Sequence, residues 1–125
     1  MILVDTSIWV DHLRAGNAAL AALLDAGRVL THPFVIGELA LGVLRQRKAV
    51  LTALLDLPSS IVATDAEVLG FSDRHALFGR RVGHVDVHLL ASARLTGGAE
   101  PWTSDRRLRD VADALGVAMA GRGKV

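Results

Sequence analysis

The chain has 125 residues, 51% of them hydrophobic and 22% charged, a balance that excludes wholesale disorder and supplies one domain with its own core. With 4% aromatics that core must be aliphatic, and with no cysteine neither a disulfide framework nor a thiolate metal site is open to it. A formal net charge of +1 gives no overall attraction to nucleic acid, so any such surface has to be a local patch.

The chain begins MILVDTSIWVD, where the apolar run at residues 2–4 reads as a buried strand and Asp5 ends it. That run is too short and too acidic for a signal peptide, and no later run approaches a membrane span, so a soluble cytoplasmic protein is expected. Residues 18–24 read as part of a helix and residues 28–31 as a second strand. Pro33 suits the first turn of a helix running to about residue 47, because its missing N–H has no helical partner there anyway. A further helix is expected over residues 49–55, a short strand at 61–63 and a helix over 65–78. Residues 86–95 are helical in pattern, with Gly97-Gly98 as the stop. A strand at 100–103, a helix at 106–115 and a last strand at 117–119 complete the domain over residues 1–120, and GRGKV at 121–125 reads as a loose tail. Short strands interleaved with helices predict an α/β domain with a mainly parallel sheet, in which ligands bind outside the carboxyl ends of the strands.

Polar residues just after the strands are therefore the ones to weigh. Asp5 follows ILV, and Asp105 stands in the same relation to the late strand, in PWTSD. Asp86 opens the helix DVHLLASA. Glu38 lies within FVIGELALGVL, an apolar segment that belongs in a core, where a lone carboxylate must be paired, hydrogen-bonded, neutralised or bound to a metal. Taken singly, Asp86 and Asp105 are good N-caps and Asp5 suits a turn. Glu38 cannot cap from mid-helix; its ordinary alternatives are to snorkel outward or to pair with Arg45.

Taken together, four carboxylates at one edge of a sheet repel one another and push at least one pKa upward. A divalent cation removes that conflict, and an all-oxygen donor set calls for Mg²⁺, or Mn²⁺ as a close substitute. Such a cluster suits phosphodiester hydrolysis. His84 and His88 stand four apart, a zinc-like spacing. They lack the Glu of a zinc-protease motif, and His84 is expected before the helix, so zinc is not expected. Basic residues cluster at Arg45, Arg47 and Lys48, at Arg80 and Arg81, and at Arg106, Arg107 and Arg109. The last group starts one residue after Asp105, where an arginine such as Arg106 can hold a substrate phosphate, although solvated helix faces explain such clusters equally.

The order of Asp5 in ILVDTSIWVD, Glu38 in HPFVIGELALG, Asp86 in GHVDVHLLASA and Asp105 in WTSDRRL resembles the PIN domain. More narrowly it resembles the VapC-like toxins of toxin–antitoxin pairs, over essentially the whole chain to about residue 119. The resemblance implies an α/β/α sandwich in three layers and a Mg²⁺- or Mn²⁺-dependent endoribonuclease. It implies metal-binding roles for Asp5, Glu38, Asp86 and Asp105, and supporting or substrate-contacting roles for Thr6, Ser7 and Thr103. It also implies a structured RNA substrate such as transfer or ribosomal RNA, a homodimer, and a cognate antitoxin whose C-terminal segment covers the site. Two rival readings share these parts. One is a DNA nuclease or phosphatase, the other a non-catalytic receiver-like or degenerate PIN domain.

Overall fold

The structure, a computed structural model, describes residues 1–117. Strand β1 (Ile2–Val4) is buried along its whole length. It runs parallel to β2 (Val29–Leu30) on one side and β3 (Glu100–Trp102) on the other, giving the order β2-β1-β3. Ile2 pairs with both Val29 and Glu100, and Leu3 with both Leu30 and Pro101. A central parallel strand is covered on both faces, so a continuous ILV run is what the position requires. Pro101, which has no N–H to donate, sits in an outer strand of this sheet.

Helices flank the sheet in an α/β sandwich. Between β1 and β2 lie α1 (Thr6–Ala15) and α2 (Ala18–Asp25). Between β2 and β3 lie α3 (Pro33–Ala40), α4 (Arg47–Asp56), α5 (Asp65–Arg74) and α6 (His84–Leu95), and α7 (Arg106–Ala114) follows β3. Helix α6 is the pillar of the domain, buried without a break from Val87 to Ala93. Its Leu89 and Ala93 join β1, β2 and α1 to α4 in one apolar cluster, while Val87, Leu90 and Ala91 join α5 and α7 in a second. A helix buried all round its middle is one that packs on every side, and its two polar residues there are His88 and Ser92. No described helix is long and apolar enough to cross a membrane.

Several expected boundaries are corrected. Helix α1 was not anticipated as a helix, because Asp5-Thr6-Ser7 has the chemistry of a turn; here Asp5 is its N-cap, and Gly16 at φ 81° ends it. Helix α3 stops at Ala40 rather than near residue 47. Gln46 adopts φ 51°, and the Arg47 guanidinium donates to the Ala40 carbonyl, satisfying an acceptor at the α3 C-terminus. The segment around Glu38 is not uniformly buried either: Leu41 is 91% and Val43 105% exposed. Helix α5 ends at Arg74 instead of residue 78, and Ala76 then turns at φ 51°.

The strand expected at 61–63 does not form. A single parallel bridge joins Thr31 to Ser59, after which the chain leaves the sheet. Its N–H groups are taken by side chains of α6 and the residue that follows it: Ile61 donates to Thr96 Oγ1 (2.9 Å) and Ala63 to Ser92 Oγ (3.1 Å). Helix α6 begins at His84, with Gly83 as N-cap, so Asp86 is its third residue rather than its cap. The last expected strand at 117–119 extends into residues outside those described, and the tail at 121–125 lies wholly there.

Candidate metal centre

The ends of β1 and β3 are locked together by the Asp5 N–H, which donates to the Trp102 carbonyl at 2.9 Å. That bond fixes the backbone from which Asp5 projects. As N-cap of α1, Asp5 would ordinarily turn its carboxylate onto the helix N–H groups, but it makes no such bond. Its Oδ2 instead accepts from Thr103 Oγ1 at 2.7 Å and Ser7 Oγ at 2.8 Å. Those hydroxyls are themselves positioned by backbone donors, Asp105 N–H to Thr103 (3.0 Å) and Ser104 N–H to Ser7 (3.1 Å). Ser7 and Thr103 also lie 3.3 Å apart. Each hydroxyl has one proton, and the shorter bonds to a charged oxygen claim both. Among the described residues Asp5 Oδ1 receives no hydrogen bond, so the network orients one oxygen and leaves the other for a ligand.

Asp105 is the N-cap of α7, its Oδ1 accepting from Arg107 N–H (2.9 Å) and Leu108 N–H (3.4 Å). The capping reading and the strand-end reading of this residue are therefore both correct, because one oxygen caps and the other does not. Glu38 is exposed on α3, and its Oε1 accepts from Thr6 Oγ1 at 2.6 Å, tying it to the first residue of α1. Arg106 follows Asp105 directly and is exposed at the start of α7.

Asp86 reports that these acids share one field. Its carboxyl is pushed up to about 6, first by burial, then by the charges of Asp5 and Asp105, with a smaller contribution from Glu38; a backbone hydrogen bond at Gly83 pulls the other way. Among the described residues the side-chain ion pairs are Arg14 with Asp11 and His88 with Asp65, so none of the four acids has a cationic partner. Carboxylates that repel one another and lack a counter-charge, with Asp5 buried, Asp86 half-buried and Glu38 and Asp105 exposed, form a donor set suited to a hard divalent cation.

The four acids do not form a tight shell. Among the described residues, the group of three donors lying within 4.8 Å of one another is Asp65, His84 and His88. This cluster went unforeseen. The His84–His88 spacing is its one sequence signal; that spacing lacks the Glu of a zinc-protease motif, and the expectation that His84 precedes the helix is corrected here, since His84 is the first residue of α6. His88 is fully buried, with its ring 4.6 Å from those of Phe34 and His84. Its pKa is held below the usual range by burial and then by His84, with Asp65 opposing.

Deeper still lies His32, the N-cap of α3, whose Nδ1 accepts from Phe34 N–H at 3.1 Å. That bond requires the proton on Nε2, which then donates to Ser92 Oγ at 3.1 Å. Burial, and secondarily His88, lowers its pKa to about 4. His32 is thus a neutral strut between α3 and α6.

A family profile described as the PIN domain matches residues 2–114. Proteins named ribonuclease VapC32, from two strains of Mycobacterium tuberculosis, are each 49% identical to the chain over 120 residues, covering 96% of it and 97% of the relative. Among solved structures, the chain resembles the crystal structure of FitAcB from Neisseria gonorrhoeae with a TM-score of 0.62. The identity there is 23%, over 95% of this chain and 96% of the other. That likeness concerns the fold.

Proposed function

This chain belongs to the PIN-domain family, in its VapC-like toxin group, and from that premise we propose that it is a metal-dependent endoribonuclease, the toxin of a toxin–antitoxin pair. What supports this reading is a set of four carboxylates with no cationic partner among the described residues. In that set Asp5 is held by Ser7 and Thr103 through one oxygen and keeps the other free of hydrogen bonds; the raised pKa of Asp86 beside Asp5 and Asp105 agrees with it. Asp5, Asp86 and Asp105 would hold Mg²⁺, or Mn²⁺ in its place, and Glu38 would assist them. When bound, such an ion steadies charge on a phosphoryl group and lowers the pKa of a coordinated water. The protein's own part is positioning. Ser7 and Thr103 hold Asp5 in one orientation and Thr6 holds Glu38, while Arg106, exposed next to Asp105, is the residue we assign to a substrate phosphate.

The substrate is a structured RNA, of the transfer or ribosomal kind, and the protein acts as a cytoplasmic homodimer. Its antitoxin covers the acids. What supports a protein partner on this side is a groove of about 760 Å³ reaching Glu38, walled by Val10, Leu13 and Val43, all of them exposed apolar residues. Incubation of the protein with total cellular RNA, in Mg²⁺ and in chelator, followed by mapping of the cut ends, tests the reading. Discrete Mg²⁺-dependent internal cuts are expected; intact RNA under both conditions contradicts it.

A further inference from the structure

The Asp65–His84–His88 cluster carries a chemistry that the acidic centre does not use. His84 opens α6 and His88 lies one turn on, a spacing that sets both rings on the same side of the helix, 4.6 Å apart and edge-on. Asp65, the first residue of α5, brings its Oδ1 to 3.5 Å from His88 Nε2. Each of the three contributes a donor atom within 4.8 Å of the other two.

His88 is the observation that points to a ligand. It is 1% exposed, and neither ring nitrogen has a hydrogen-bond partner. The 3.5 Å approach of Asp65 is an electrostatic contact, too long for a good hydrogen bond. Leaving a buried polar group unsatisfied costs about 1–3 kcal/mol, and native proteins rarely do so. The packed side of the ring has nothing to offer: Phe34 is apolar, and both nitrogens of His32 are engaged, with Ser92 and with the Phe34 N–H. The other two contacts are His84 and Asp65, both exposed, so the buried, unpartnered nitrogens lie beside two donors on the surface.

We propose that Asp65, His84 and His88 bind a borderline divalent transition metal, best matched by Zn²⁺, at the junction of α5 and α6. Two imidazoles and one carboxylate suit Zn²⁺ rather than Mg²⁺, and three protein donors leave a coordination position for water. The metal staples the starts of α5 and α6 together. Because Asp86 projects from the same turn of α6, occupancy also steadies the helix start from which Asp86 reaches the acidic centre.

The test is titration of the full-length protein with Zn²⁺ in excess Mg²⁺, read by calorimetry, and with Co²⁺, read by its visible absorption. Asp65→Asn and His84→Gln change exposed residues and leave the fold intact, whereas His88→Gln tests the buried ligand. We expect one Zn²⁺ per chain, a Co²⁺ band of nitrogen-ligated character and a Zn²⁺-dependent rise in Tm. Each of Asp65→Asn and His84→Gln should raise Kd by about tenfold or more and remove the Tm shift, since even outer-shell changes cost about 10–100-fold. Asp86→Asn should still bind. Wild-type Zn²⁺ affinity in His84→Gln, or loss of binding in Asp86→Asn alone, would assign the metal to the acidic centre and overturn the proposal.

Discussion

Asp86 and His88 stand two residues apart on α6, and the regions they serve are built on opposite principles. On the Asp86 side, oxygen donors are held by a layered network: backbone N–H groups orient Ser7 and Thr103, which orient Asp5. On the His88 side there is no such network, only a buried ring with two unpartnered nitrogens facing an exposed carboxylate and an exposed imidazole. The first region stores repulsion between like charges; the second stores unmet hydrogen bonding. Both deficits are of the kind a cation relieves, but different cations, because donor chemistry selects the metal.

The sharpest way to break the comparison is to remove one charge from the acidic side. Asp86→Asn should lower RNA cleavage by about 10²–10³-fold or more, the scale on which a preorganised electrostatic group acts. In chelator the same variant should melt at a higher temperature than the wild type, since it removes a carboxylate that its neighbours repel. A substitution at the shared pillar should instead damage both regions. Leu90, fully buried on α6, should cost about 2–5 kcal/mol on conversion to alanine, read by urea denaturation, with RNA cleavage and Zn²⁺ binding declining together.

The two sides also answer pH with opposite sign. His32 has a folded pKa of about 4, below the 6.5 of the unfolded chain, so between these values the unfolded state binds more protons. Its contribution is fully present above 6.5 and shrinks as pH falls toward 4, by about 3 kcal/mol in all. Asp86 runs the other way: its folded pKa of about 6 lies above the unfolded 3.8, so stability drains as pH rises from 3.8 through 6. Because the two windows overlap, the opposed slopes offset each other in the wild type. In chelator, His32→Gln should make denaturation midpoints fall more steeply as pH rises from about 4 to 6, and Asp86→Asn should make them rise across the same range. The smallest effect belongs to the supporting hydroxyls. Thr103→Val keeps shape and removes one bond to Asp5 Oδ2, and should reduce cleavage by about tenfold, the low end of the range of about 1.5–3 kcal/mol for a bond to a charged group.

How far each region could be read in the sequence follows from the distance over which its cause acts. β1 is an apolar run ended by Asp5, and β3 is a short Glu-Pro-Trp strand followed by TSD, so Asp5 and Asp105 could be placed just after strand ends without any knowledge of packing. Glu38 was placed near the same edge, but the burial of its segment was overestimated: apolar composition cannot tell a helix face from an exposed turn, and Leu41 and Val43 fall on the turn. Helix α1 was hidden because an Asp that caps a helix and an Asp that starts a turn have the same neighbours. Asp65 was out of reach altogether, since nothing local links it to His84; the packing of α5 on α6 brings them together. The start of α6 mattered most, because moving it from Asp86 to His84 turned two separate histidines into one helical pair.

The central claim, that the carboxylates at the strand ends hold the cation used to cut RNA, is tested most directly by titrating Mg²⁺ into chelator-treated protein and following RNA cleavage by wild type and Asp5→Asn. Saturable activation of the wild type, with Asp5→Asn at the protein-free rate at every Mg²⁺ concentration, is the predicted result. Cleavage by Asp5→Asn at the wild-type rate, or wild-type cleavage undiminished in chelator, would contradict it.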